Sequence, residues 1–335
     1  MKKLFTFFVC ALLALVLPFS FAACKEKGKV IRLAEVTHSI FYAPMYAAIN
    51  LGYLKEEGLE VELINSGGAD KVMVALTSNS ADIGLMGPEA TIYVHIQGTS
   101  DYPVIIGQLT KRDGSFLVGR EPDPDFTWSK LEGKRVLAGR AGGVPAMTLE
   151  YVCNKHGLYN GVNINLDTSV AFDMMRPVFE ADKTVDYTTL FEPLASEIQA
   201  QGKGYIVASV GMESGEVPYT AFSVKRSYLE KNRDTVKKFL RAIKRGYDFI
   251  KTASLDEAAK ALEPSFTSIS FETLKSVIQN YRDIDAWADS LVMSESAFNR
   301  LQEIMENAKS LQKRVNFADI VDNTLAQEVM AEFEK

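Results

Sequence analysis

The first third of the chain alternates between two hydrophobic periods, and each change of period marks an element. Residues 30–36 form a short apolar run that predicts a strand. Pro44 then opens a helix through Met45, Ala48 and Ile49 that Gly52 ends, proline in the first turn and glycine beyond the last being ordinary helix punctuation. Leu59, Val61 and Leu63 alternate with Glu60 and Glu62 as a half-buried strand, Gly67 and Gly68 make a turn, and Val72, Met73 and Leu76 mark a second helix. A third strand is expected over 81–86; Gly87 and Pro88 turn the chain into a helix through Ile92, Tyr93 and Ile96, and 103–109 supplies a fourth strand. Strands alternating with helices imply a parallel sheet wound right-handed.

Residues 120–129, with Pro122, Asp123, Pro124 and Asp125, are polar and broken by proline, so they read as a surface connection. A second series follows. Strands are expected over 135–139, 163–166, 185–191, 205–209 and 217–224. Helices are expected from Pro145 to His156, over 174–180 and over 194–201. After Ser227 the pattern is helical throughout, carried by Phe239, Leu240, Ile243, Tyr247 and Ile250 and later by Leu301, Ile304 and Met305. The expected fold class is α/β with two lobes, each a mainly parallel sheet flanked by helices.

The N-terminus changes that picture. Lys2 and Lys3 precede an uncharged run from Leu4 to Phe21, which ends in Ala22, Ala23 and Cys24. A charged start and an apolar run describe an export signal, and the small residues before Cys24 resemble a bacterial lipobox whose cysteine takes lipid, with Phe21 where leucine is usual. The alternative is a retained membrane anchor, since the run falls only slightly short of a bilayer span. Either reading puts the rest of the chain outside the cytoplasm. Removing Lys2 and Lys3 from 37 basic residues leaves 35 against 43 acidic ones, and a net acidic chain is a poor nucleic-acid binder. With Cys10 in the signal and Cys24 in the lipobox, Cys153 stands alone, so neither an internal disulfide nor a cysteine metal site is expected. Apolar cores must then hold the fold, and 47% hydrophobic residues over 335 positions suffice for two ordinary domains.

The segments FYAPMYAAINLGYLKEEGLEVEL, SADIGLMG, KLEGKRVLAGRAGG, VDYTTLFEP and VPYTAFSVKRSYLEKNRDTVKKFLRAIKRGY together resemble the type 2 periplasmic binding proteins. The similar branch serves sulfonates, nitrate, taurine and thiamine pyrimidine precursors. The resemblance implies that the C-terminal helices return to the first lobe. The division would be a signal at 1–23, a tether at 24–29, lobe one at 30–115 and 218–335, and lobe two at 116–217, with two crossings as a hinge. It also implies an ABC importer's solute-binding lipoprotein: no enzyme and no cofactor, a monomer, anchored to the membrane by lipid, with permease subunits and a small-molecule ligand as partners.

Ligands on open parallel sheets bind beyond the carboxyl ends of the strands, which here means the loops 37–42, 66–70, 86–89, 139–145 and 191–193. The resemblance carries ligand contact onto Ser39, Phe41, Gly67, Gly87, Gly142 and Glu192. Gly67 with Gly68 and Gly142 with Gly143 can bring backbone N–H groups to a ligand; each can equally be a tight turn. Phe41, Tyr42, Phe191 and Tyr219 can sandwich a flat ligand, stacking being worth roughly 0.5–1.5 kcal/mol beyond burial, or they can be core. Glu89 and Glu192 begin helices, where a carboxylate complements the dipole; facing a cleft, they would accept from an amino group and repel a sulfonate. Arg112 and Arg140 pull the other way but read first as solvated or bridging. His38, beside Ser39, is placed to touch ligand; His95 and His156 read as surface or packing residues. These features favour a small heteroaromatic ligand such as a thiamine pyrimidine precursor, with sulfonate- or nitrate-type anions as the alternative. An enzyme on the same scaffold is the third reading, and the lone Cys153 argues against it.

If Cys24 carries lipid, Cys24→Ala should release the protein from the membrane fraction and abolish fatty-acid labelling. Unchanged labelling of the variant would sink the lipoprotein reading.

Overall fold

The computed structural model describes residues 28–334; the expected signal segment and Cys24 lie outside them. Two five-stranded sheets carry the described residues. The first, in the order β2-β1-β3-β10-β4, contains β1 (Lys29–Glu35), β2 (Leu59–Asn65), β3 (Ile83–Met86), β4 (Pro103–Thr110) and β10 (Thr220–Lys225). The second, in the order β7-β6-β8-β5-β9, contains β5 (Ser115–Gly119), β6 (Arg135–Leu137), β7 (Asn165–Asp167), β8 (Tyr187–Phe191) and β9 (Tyr205–Ser209).

Both sheets are mixed. In the first, β1 pairs parallel with β2 and β3, while β10 runs antiparallel to β3 and β4. In the second, β6 pairs parallel with β7 and β8, while β5 runs antiparallel to β8 and β9. The reversed strand occupies the same place in each order, because each is the strand by which the chain enters that sheet from the other. β5 is also the strand that hydrophobic patterning passes over. Its five residues, SFLVG, are all buried, so they show no alternation, and they follow β4 closely enough to read as its tail.

Period and packing agree in the long helix Arg233–Thr252. Val236, Phe239, Leu240, Ile243, Tyr247 and Ile250 are buried on one stripe, the spacing of an amphipathic helix, and the Phe239 ring meets Phe222 of β10 edge-on at 5.0 Å. Capping follows side-chain chemistry: Ser254 and Glu257 form a reciprocal capping box at the start of Leu255–Leu262, and Ser270 and Ser294 accept from backbone N–H groups at the next two long helices.

The long helix also lies very close to the helix Ala43–Asn50, since a Cβ added at Gly246 would collide with the Pro44 carbonyl oxygen. In an open helix Gly→Ala gains about 1 kcal/mol. Here the obstacle is backbone that no rotamer change can move, and overpacking costs roughly 1–3 kcal/mol. Gly246→Ala should therefore lower the thermal unfolding midpoint; a midpoint equal to or above wild type would show that the contact is looser than described.

Candidate functional site

A cleft of about 700 Å³, its open mouth included, lies between the two sheets and is walled by both. From the first sheet come Val36, Thr37, Ser39, Phe41 and Tyr42 after β1, Gly68 and Ala69 after β2, Gly87 and Glu89 after β3, and Tyr219 and Thr220 at the start of β10. From the second come Arg140, Gly143, Val144 and Pro145 after β6, Phe172 after β7, and Phe191 at the end of β8. All except the β10 pair stand at carboxyl ends of parallel strands, where sheet topology opens a crevice.

Local chemistry sets the loop after β1. Ser39 accepts the Phe41 N–H at 3.2 Å and so closes a short turn over Ile40–Tyr42, which delivers two aromatic rings to the cleft floor. Phe41 contacts Tyr219 at 5.8 Å, Phe191 at 5.5 Å and Tyr281 at 5.2 Å between ring centroids. The Trp287 indole N–H donates to the Phe41 carbonyl at 2.9 Å. Phe41, Tyr42 and Tyr219 are buried, whereas Phe191 and its neighbour Phe172, 5.5 Å away, keep partial exposure.

Glu89 is 2% exposed, and its Oε2 has no hydrogen-bond partner among the described residues. The side chain folds back over Gly87, where any Cβ would collide with it. Burial pushes the carboxyl up to about 7, against the opposing pull of Arg140 and of the nearby N–H groups of Glu89, Ala90 and Val144. Arg140 is 52% exposed, and the pair it forms, with Asp70 at 3.8 Å, is long.

Glu192 is placed differently. Its oxygens accept from Ser196 N–H at 2.9 Å, Ser196 Oγ at 2.7 Å and Asn280 Nδ2 at 2.6 Å, and its own N–H donates to Tyr281 Oη at 3.1 Å. It therefore holds the first turn of the helix Leu194–Ala200 and ties the second sheet to the helix Phe271–Asp283. With His38 it lines a neighbouring cavity, on the far side of Phe172 and Phe191 from Glu89. His38 Nε2 lies 2.7 Å from the Ser265 carbonyl and Nδ1 lies 3.1 Å from Glu35 Oε1. The Glu35 hydrogen bond raises the ring's pKa first, against desolvation, and Tyr46 Oη also lies 2.8 Å from Nδ1. Tyr46 donates to Glu35 Oε2 beneath it.

Of the other residues singled out in the sequence, Gly67 and Gly142 stand one place outside the lining and both have positive φ, 73° each; the Gly142 carbonyl accepts from Tyr93 Oη at 3.1 Å. Gly68, Gly87 and Gly143 reach the cleft wall. Arg112 stays at the crossing between the sheets, 3.8 Å from Glu216. Sequence reasoning missed Phe172, Thr220 and Val36. The strand-end rule would have found Phe172, had the loop after β7 been counted. Cys153 is buried outside the cleft, its thiol pushed up to about 12 by burial. Among the described residues no cluster of His, Cys, Asp and Glu has metal-holding geometry, and no helix is long and apolar enough to cross a membrane.

Residues 40–253 match the family model described as NMT1/THI5 like. A proposed binding protein of Bacillus subtilis (strain 168), YtlA, is 40% identical over 318 residues, covering 94% of this chain and 95% of that protein. The 4-amino-5-hydroxymethyl-2-methylpyrimidine phosphate synthase of Aspergillus parasiticus is 27% identical over 236 residues, 67% of this chain and 66% of its own. Among solved structures, the alkanesulfonate-binding protein SsuA of Xanthomonas axonopodis pv. citri, bound to MOPS, superposes with a TM-score of 0.71 at 16% identity, covering 89% of this chain and 99% of that one. The fold is therefore that of the periplasmic binding proteins.

A second buried acid lies at the crossing. Asp113 is 0% exposed, its Oδ1 accepts the Ser115 N–H at 2.7 Å, and its Oδ2 has no partner among the described residues; burial pushes it up to about 7. An acid whose folded pKa exceeds its unfolded value binds extra protons when folded, so stability is lost as pH rises from about 4 to 7 and is level above that. Asp113→Asn keeps the Ser115 bond and removes the buried charge. Thermal melts should show it near wild type at pH 4 and more stable at pH 8, by roughly 1–4 kcal/mol; a difference that does not grow with pH would mean Asp113 is ionised at no cost.

Proposed function

The chain belongs to the NMT1/THI5-like family, and from that membership and the aromatic cleft we propose that it is the extracytoplasmic solute-binding component of an ABC importer. It captures a small heteroaromatic solute of the thiamine-pyrimidine-precursor kind and passes it to a permease. Lipid on Cys24 would hold it at the membrane.

The observation that carries the reading is the set of rings presented to one cleft from both sheets: Phe41, Tyr42 and Tyr219 from the first, Phe172 and Phe191 from the second. A flat solute filling that space touches both lobes at once, and closure is favoured only by as much as the solute binds the closed state better. The lobes would rotate about two crossings, near 115–116 and 217–218, where the Val217 N–H bonds to the Lys111 carbonyl at 2.9 Å. A second reading, a sulfonate- or nitrate-type anion, draws on the helices Ala69–Thr77 and Val144–Lys155, whose first turns line the cleft, since helix N-termini favour anions. A synthase on this scaffold is less supported, because the lone Cys153 lies away from the cleft.

Calorimetry of the mature protein against aminopyrimidines, alkanesulfonates and nitrate tests the assignment. A bound solute should lose roughly three- to tenfold affinity in Phe191→Ala, the worth of one aromatic contact, while thermal melts show the variant folded. Unchanged affinity for every solute that binds would place the site elsewhere.

A further inference from the structure

Two carboxylates were candidates for reading the solute, and the structure separates them by what their oxygens already touch. Glu192 is saturated by Ser196 and Asn280. Glu89 lines the aromatic cleft with a buried Oε2 that no group among the described residues satisfies. Buried polar atoms in folded proteins almost always have partners, and one that lacks a partner inside a ligand-sized cleft is placed to receive it from the ligand.

We infer that Glu89 is the contact that reads charge in this cleft, and that the solute presents to it a cationic or twin-donor nitrogen group, as in an amidine or an aminopyrimidine, rather than a sulfonate or nitrate. The inference rests on the cleft being the solute site. Among the described residues no cation neutralises Glu89 by contact. Arg140 is half exposed and lies by Asp70, and the other groups facing Glu89 are the hydroxyls of Tyr42, Tyr93 and Tyr219, each held neutral by burial. An anion drawn to the helix N-termini would meet this carboxyl at close range in a poorly screened site. A donor-bearing nitrogen would instead give the orphan oxygen its missing bond, charge-assisted by the carboxylate, and a cationic one would also supply the countercharge.

The test uses four probes on the mature protein by calorimetry: 4-amino-5-hydroxymethyl-2-methylpyrimidine and benzamidine as donors, benzenesulfonate and nitrate as anions. At least one donor should bind at least tenfold tighter than either anion. Glu89→Gln, which keeps the volume, should cost that donor at least tenfold, and Glu89→Asp should recover part of the loss. Benzamidine is a cation throughout pH 6–8, so its affinity should rise across that range as Glu89 gives up its proton, and stay level in Glu89→Gln. Tighter binding of an anion, improved further by Glu89→Gln, overturns the inference; so does failure of both donors to bind. A bound probe that responds to Phe191→Ala but not to Glu89→Gln refutes the role of Glu89 and leaves the cleft standing. A probe indifferent to both substitutions refutes the cleft itself.

Discussion

The packing of the Phe41 ring against Gly114 is the contact on which the rest of the architecture depends. Gly114 lies between β4 and β5, where the chain leaves one sheet for the other, and any side chain there would collide with the ring. The same ring touches Phe191 of the second sheet, Tyr219 on the returning crossing and Tyr281 of the helix Phe271–Asp283. One side chain thus joins the crossing, both lobes and the cleft floor. A similar constraint holds at Gly211, whose Cβ would run into the Asp113 carbonyl. The crossings are close-packed because the backbone passes where side chains would otherwise stand, and the aromatic wall of the cleft is a consequence of that packing.

Around this contact three carboxyls, of Asp113, Glu89 and Glu192, are kept out of water with no cation in contact among the described residues. Asp113 and Glu89 are both pushed up to about 7 by burial, whereas the saturated Glu192 is held by three donors. Burying an acid without a partner costs stability unless the group stays protonated or meets a ligand. Asp113 lies behind Tyr219, outside the cleft lining, and bears on the crossing; Glu89 lies on the lining itself. Perturbed, under-satisfied groups gather where function is carried out, and the cleft and the crossing are the two places in the described residues where these acids occur.

Much of the topology was legible as a change of period. The alternation of Leu59, Val61 and Leu63 with glutamates, the stripe from Val236 to Ile250, and prolines 44 and 145 at helix starts all became the expected elements. The strand β5 was not legible, because a strand buried on both faces carries no alternation. The antiparallel setting of β5 and β10 was hidden for a related reason: strand direction depends on which sheet the chain is entering, and no local pattern records that.

The sequence by itself determined that rings and acids would cluster at strand ends, since Phe41, Tyr42, Glu89, Phe191 and Glu192 all fall in loops that a parallel sheet must bring to one edge. Only the tertiary structure decided their roles. Glu89 and Glu192 look alike in sequence, each an acid after a strand and beside a proline at the start of a helix. They differ because Ser196 and Asn280, the second of them 88 residues away in sequence, reach one carboxylate, whereas among the described residues no group partners Oε2 of the other. Hydrogen-bond saturation is set by whatever the fold brings within about 3 Å, and that distance is defined only once both sheets and the C-terminal helices have packed.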